Sequence, residues 1–240
     1  MFKKNVYFFA ILILVFALTI SVSANELNNG IKEYQNGNYE NAINYLKEYA
    51  ADNNDDYRVH YYLGLSYLKL DKYNSAADSL QIAYELNNDN YKIMVNLGRS
   101  NYHLNNYEKA EEILNKAKNK ENIDEQVFNL LGLIQMDNSN YNQAIDSFNM
   151  ALEYNKENYY IYNNLGYSYL LQGKYEEARD ALEKAIKLDP AVPYIYNNLG
   201  IAYENLGKLE KAYENYKKAL EIDSEYQKAK NNLNRIESKL

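Results

Sequence analysis

Cysteine is absent from these 240 residues, and so is tryptophan; there are only two prolines and two histidines. Without cysteine the chain forms no disulfide, carries no thiol nucleophile and offers no sulfur for a lipid anchor. Positive charge is also scarce. The 26 Lys and Arg stand against 33 Asp and Glu, a net charge of −7. That balance excludes bulk nucleic-acid binding, which needs a basic surface to meet phosphates. The aromatic content is one-sided: 28 tyrosines and six phenylalanines. A tyrosine can bury its ring and still hydrogen-bond at its tip, so it suits both a core and a contact surface.

The first 24 residues, MFKKNVYFFAILILVFALTISVSA, differ in kind from the rest. Lys3 and Lys4 precede an apolar run from Val6 to Ile20, and Val22 and Ala24 satisfy the small-residue rule before a cleavage point. This is the layout of a secretory signal peptide. The rival reading is an uncleaved membrane anchor, for which the run is short of the roughly 20 residues that span a bilayer. Either way the remainder is expected outside the cytoplasm, periplasmic or extracellular, because the positive charge lies ahead of the run. Loss of Lys3 and Lys4 takes the net charge from −7 to −9.

Beyond the leader the sequence repeats. Gly30, Gly64, Gly98, Gly132, Gly166 and Gly200 are spaced by 34 residues, as are Ala42, Ala76, Ala110, Ala144, Ala178 and Ala212. With the glycine as position 8, the units are 23–56, 57–90, 91–124, 125–158, 159–192 and 193–226. Each reads as two helices. Positions 4, 7, 8 and 11 share one face of the first helix, as Tyr162, Leu165, Gly166 and Tyr169 do in the fifth unit. Positions 17, 20, 24 and 27 share one face of the second, here Tyr175, Ala178, Leu182 and Ala185. Small residues at 8, 20 and 27 permit close helix contact. One such unit cannot bury both its faces, so units must stack. Pro190 stops a second helix and Pro193 fits the first turn of the next. After the sixth unit, Ala229, Leu233, Ile236 and Leu240 form an apolar stripe, the sign of a capping helix within 227–240.

The Leu-Gly pairs at 63–64, 97–98, 131–132, 165–166 and 199–200, with the alanine and tyrosine series, resemble the tetratricopeptide repeat family. The stretch YNNLGYSYLLQGKYEEARDALEKAIKLDP, 162–190, is close to that family's pattern. The resemblance implies an all-α, right-handed α-solenoid of six helix-turn-helix units with a C-terminal cap. It also implies a groove lined by the first helices, where the family commonly holds extended peptides.

The stripe of each first helix opposite the inner face comprises positions 2, 5, 6, 9, 12 and 13. The heptapeptide YIYNNLG occurs twice, at 160–166 and 194–200. Its third, sixth and seventh letters point inward. Tyr160, Asn163, Asn164 and Tyr167, with Tyr194, Asn197 and Asn198, fall on the stripe. Asn96 lies there too, in a row at position 6 that includes Asn28, Asn164 and Asn198 but is broken by Tyr62 and Leu130. A side-chain amide both donates and accepts, so it can pair with a peptide backbone of any sequence. These residues are the expected peptide-binding set. In units two and three the stripe carries Arg58, Lys69, Lys92, Arg99 and His103 and no carboxylate, an expected anion-binding strip in an acidic protein. The clamp that the family uses for a C-terminal carboxylate needs a set of Lys, Asn and Arg that no three successive units here supply.

The run DNNDD at 52–56 has oxygen ligands spaced like a calcium loop, but Tyr57 and Leu63 stand where that loop needs Gly and Glu. His60 and His103 fall on different faces. No phosphate loop, zinc motif or Ser-His-Asp constellation appears. The repeats leave no length for a catalytic domain. The expectation is a non-catalytic module without cofactor or metal, whose partner is a protein or peptide. The alternative is a structural subunit of an envelope assembly, docked through its convex face or its ends.

Overall fold

A computed structural model describes residues 26–239; the expected leader at 1–24, Asn25 and Leu240 lie outside them. Among the described residues there are thirteen helices and no strand. The first helices of the units are α1 (26–35), α3 (Tyr57–Lys69), α5 (Tyr91–His103), α7 (Glu125–Asp137), α9 (Tyr159–Leu171) and α11 (Pro193–Asn205). The second helices are α2 (Tyr39–Asp52), α4 (Tyr73–Leu86), α6 (Tyr107–Ala117), α8 (Tyr141–Tyr154), α10 (Tyr175–Leu188) and α12 (Leu209–Ile222), and α13 (Gln227–Glu237) follows. The protein is an all-α helical repeat.

The helix ends are written into the sequence. Asp56, Asn90, Asp124 and Asn158 each precede a first helix and accept the backbone N–H two residues on. Such caps satisfy amides that have no partner within the helix. Helix α11 has no side-chain cap; Pro193 occupies its first turn instead, where a missing N–H costs nothing. Every first helix stops at position 15, which adopts a left-handed backbone: Gly37, Gly173 and Gly207 in three units, but Asp71, Asn105 and Ser139 in the others. At Gly173 the stop is a Schellman turn, with Lys174 N–H donating to the Tyr169 carbonyl and Gly173 N–H to the Leu170 carbonyl, both at 3.0 Å.

The core lies between the two helices of a unit and the next. Ala42, Ala76, Ala110, Ala144, Ala178 and Ala212 at position 20 are completely buried. So are Leu46, Leu80, Leu114, Phe148, Leu182 and Tyr216 at position 24. Each large residue at 24 faces the glycine at 8 of its own unit; a Cβ built on Gly132 would stand 2.6 Å from Phe148 Cε1, closer than real contacts allow. Burying such a side chain contributes about 1.5–3 kcal/mol. The inner face of the first helices is shifted from its expected phase. Positions 3 and 10 are its deepest, Val59, Ile93, Val127, Ile161 and Ile195 at 3 and Ser66, Ser100, Ile134, Ser168 and Ala202 at 10. Position 4 is only half-buried at Phe128, Tyr162 and Tyr196. For α3, α5, α9 and α11 the reason is that each packs on the second helices of both its own and the preceding repeat, which widens and rotates the covered arc.

The chain divides into two compact units, one ending at Glu121 and one beginning at Asn122. In the first, α2 to α6 pack in succession, with α3 also against α5. In the second, α7 to α13 pack in succession, and α7, α9, α11 and α13 also touch in order. The first helices of each unit therefore lie side by side.

Candidate partner-binding surface

In the second unit the face made by the first helices is built on a chain of amides. Asn232 Nδ2 donates to Asn197 Oδ1 at 2.8 Å, Asn197 to Asn198 at 3.5 Å, and Asn198 to Asn163 at 3.1 Å. Asn163 then donates to Asn164 and Asn164 to Asn129, both at 3.4 Å. All five bonds run in one direction, and the chain begins at a cation, since Arg235 donates to Asn232 Oδ1 at 3.0 Å. Aligned bonds polarise one another in the same sense. The ladder joins α13, α11, α9 and α7. It is also buried: Asn163, Asn164 and Asn197 are 7%, 6% and 2% exposed. These three expected peptide-binding residues thus turn to one another beneath the surface, and Asn198 is half-buried beside them. The reason is steric. Positions 5 and 6 point at the neighbouring first helix, not into open solvent.

Above the ladder stand rings. Tyr160 is 45% exposed and Tyr167 39%. Tyr194 is half-buried; burial, with Tyr159 and Tyr160 beside it, pushes its phenol up to about 12. Leu171, also on this stripe, is exposed.

In the first unit the same face has a different chemistry. Tyr34 packs edge-on against Tyr62, and Tyr62 against Tyr61. Burial raises the Tyr61 phenol to about 12, opposed by nearby Arg99. Asn96 is buried; it donates to the Lys92 carbonyl at 2.7 Å and accepts from Arg99 Nη1 at 2.8 Å. The expected anion strip is only partly assembled. Arg58 is committed to Asp56, 2.6 Å away, and the pair holds the Asp56 carboxyl below its ordinary range. His103 stacks on Tyr73 with ring centres 4.3 Å apart; burial and then Arg99 lower its pKa, which favours the neutral ring at pH 7. Lys69 and Lys92 are exposed.

Residues outside the expected set complete the second unit's face at its C-terminal end. Glu204 on α11 receives Arg235 at 2.7 Å and Lys239 at 3.0 Å, and Tyr216 donates to it at 2.9 Å. Burial acts to raise the Glu204 carboxyl, but the bonds from Lys239 and Tyr216 and the charge of Arg235 prevail, and its pKa is lowered. Asn129 and Asn232 were also missed by sequence reasoning. Their signal was available: Asn129 shares position 5 with Asn163 and Asn197, and Asn232 follows Asn164 and Asn198 at the same period.

Among the described residues, no group of three or more His, Asp or Glu could hold a metal ion, and no helix is long and apolar enough to cross a membrane.

Several solved structures share the fold. The APC/C hetero-tetramer Cut9–Hcn1 aligns over 89% of this chain at 20% identity with a TM-score of 0.77, and this chain spans 42% of that one. PilF of Pseudomonas aeruginosa aligns over 92% of this chain and 98% of its own at 15% identity, TM-score 0.77. YrrB, described as a TPR protein with an unusual peptide-binding site, aligns over 77% of this chain and 95% of its own at 19% identity, TM-score 0.62. Comparison with curated proteins finds no match. The sequence profile of the cilia and flagella-associated protein 70 C-terminal domain, a TPR domain, matches residues 17–235. With that match over most of its length, and with helix pairs in phase at 34 residues, the chain belongs to the tetratricopeptide repeat family.

Proposed function

We propose that the protein is a non-catalytic binding module working outside the cytoplasm, and that the first-helix face of its second unit holds an extended segment of a partner protein. The observation that carries this reading is the exposure of Tyr160 and Tyr167 above a closed amide ladder. Exposed rings on a rigid base offer apolar area at small entropic cost, because the base is ordered before the partner arrives. The asparagines act as that base. Their buried amides fix the spacing of α9 and α11, and hence of Tyr160 and Tyr194. Fold likeness to a protein with a peptide-binding site agrees with the reading. Export rests on the leader at 1–24.

A random peptide library displayed on phage and selected on the full chain provides the test. Selected peptides should bind the wild type and lose about tenfold or more in affinity to the double variant Tyr160→Ala, Tyr167→Ala. Both positions are exposed, so the variant keeps the fold. Peptides that bind both proteins equally would move docking to the second helices or the ends, the arrangement of a structural subunit. N-terminal sequencing of the protein from cell fractions tests export; an intact chain in the cytoplasmic fraction would refute it.

A further inference from the structure

Position 11 of the first helix is tyrosine in three units, Tyr67, Tyr169 and Tyr203, and asparagine in the third unit, Asn101. The tyrosines lie against second helices. Tyr203 is the clearest: its hydroxyl donates to Glu183 Oε1 at 2.7 Å, and Lys211 Nζ sits 5.4 Å from the ring centre. Glu183 is position 25 of the preceding unit and Lys211 is position 19 of its own. Tyr67 is held in a related way, with Lys47, position 25 of the preceding unit, over its ring at 5.9 Å.

In the third unit the ring is missing and its surroundings remain. A cleft of about 390 Å³ opens between α4 and α6. Its lining includes Gln81 at position 25, Lys109 at position 19, Ala77, and Leu97 and Asn101 on α5. Positions 25 and 19, held here by Gln81 and Lys109, are the register positions that grip Tyr203. Asn101 does not fill the space; its amide turns back to the Leu97 carbonyl at 3.0 Å. The cleft is the imprint of a tyrosine side chain that the chain does not supply, with an amide in place of the carboxylate that met the hydroxyl and a lysine in place to cover the ring.

We infer that this cleft receives a tyrosine side chain presented by a partner polypeptide. The ring rests on Leu97 and Ala77, the Lys109 ammonium approaches its face, and the hydroxyl donates to Gln81 Oε1, whose Nε2 is bonded to Glu85 Oε1 at 2.9 Å. The volume is at the lower end of the about 300–1,000 Å³ typical of ligand pockets, enough for one ring and its adjoining backbone. The cleft lies on the second-helix side of the first unit, so it is independent of the tyrosine-lined face proposed above.

The test is a titration of the 15N-labelled full chain with N-acetyl-tyrosinamide. Saturable shifts are expected at the Ala77 and Gln81 amides and at the Asn101 side chain. N-acetyl-phenylalaninamide, which lacks the hydroxyl, should bind about two- to tenfold more weakly, the worth of one neutral hydrogen bond. Asn101→Tyr should abolish the shifts and raise the melting temperature, because the chain then fills its own cleft. Ala77→Leu narrows the cleft from the opposite wall without touching α5 and should also abolish them. The proposal fails if no saturable shift appears, or if both variants bind like the wild type. It fails as well if 4-methylphenol binds as tightly as N-acetyl-tyrosinamide, since the site would then take free phenols and the partner need not be a polypeptide.

Discussion

Replacing Asn197 by alanine tests whether the amide ladder holds the first helices together. Asn197 is 2% exposed, accepts from Asn232 at 2.8 Å and donates to Asn198 at 3.5 Å. The second bond is at the limit of length and contributes little. The first is short, and its loss costs about 0.5–1.5 kcal/mol directly. A donor left buried without a partner costs about 1–3 kcal/mol, but Asn232 is half-buried and water reaches part of it, so the lower end applies. The sum is about 1–3 kcal/mol. Asparagine-to-alanine also improves helix propensity, which opposes the loss. Asn205→Ala on the same helix carries a smaller gain, since Asn205 is the last residue of α11; it is exposed, with its amide bonded to the Ile201 carbonyl. The difference between the two variants is therefore a lower bound on the ladder. Urea unfolding of the full chain followed by circular dichroism should show Asn197→Ala less stable than Asn205→Ala by about 1–3 kcal/mol. Adding Asn232→Ala should cost less than the two single changes summed, because they share a bond. Equal midpoints for Asn197→Ala and Asn205→Ala, or strict additivity with Asn232→Ala, would refute the reasoning.

Three further outcomes are expected. Gly132→Ala places a methyl group 2.6 Å from the ring of fully buried Phe148 and should cost about 1–3 kcal/mol by overpacking, whereas exposed Asn149→Ala should stay within about 0.5 kcal/mol; comparable melting shifts would show that the helices part easily. Glu204 has a lowered pKa in the fold, so its contribution is present above the ordinary carboxylate value of 4.5 and is lost as pH falls through the folded value; hydrogen exchange of α13 should accelerate in that acidic window in the wild type, and a Glu204→Gln variant whose α13 exchange keeps the same pH dependence would sink this account. Ser139 holds a left-handed backbone at φ 61°, and Ser139→Gly relieves about 1–2 kcal/mol of strain for about 0.5–1 kcal/mol of added chain entropy; a melting temperature that does not rise would count against it.

The fold was legible because it rests on a period. Glycine at 8 facing a large residue at 24, with alanine at 20, recurs at 34 residues and leaves its mark letter by letter. The caps at Asp56, Asn90, Asp124 and Asn158 follow the same count. The phase of the inner face was less legible. A helical wheel describes one helix against one neighbour, whereas α3, α5, α9 and α11 meet second helices on two sides, which buries their positions 3 and 10. Pairing was not legible at all in places. Nothing in the order of Asp56 and Arg58 distinguishes a free cation from one bound at 2.6 Å to a helix cap two residues away.

The twice-occurring YIYNNLG shows where the site could and could not be read. Ile161 and Ile195, at its second letter, are completely buried, and Leu165 and Leu199 with the glycines close the core. The third letter is half-buried, and Lys184 lies over the Tyr162 ring at 5.7 Å. Both asparagines of each copy belong to the ladder. An identical neighbour one unit away is the natural partner for an amide, because each copy presents the donor that the other accepts. Repetition of the pair therefore serves the stacking itself. Six of the seven letters are accounted for inside the protein. The first letter is the most open: Tyr160 is 45% exposed, whereas Tyr194 is half-buried, packed on the second unit's core and bonded to Tyr159. Packing explains why the other letters recur and accounts for Tyr194, and it does not explain the exposed ring of Tyr160. A partner that covers Tyr160 would, and that is the physical ground for proposing the contact there.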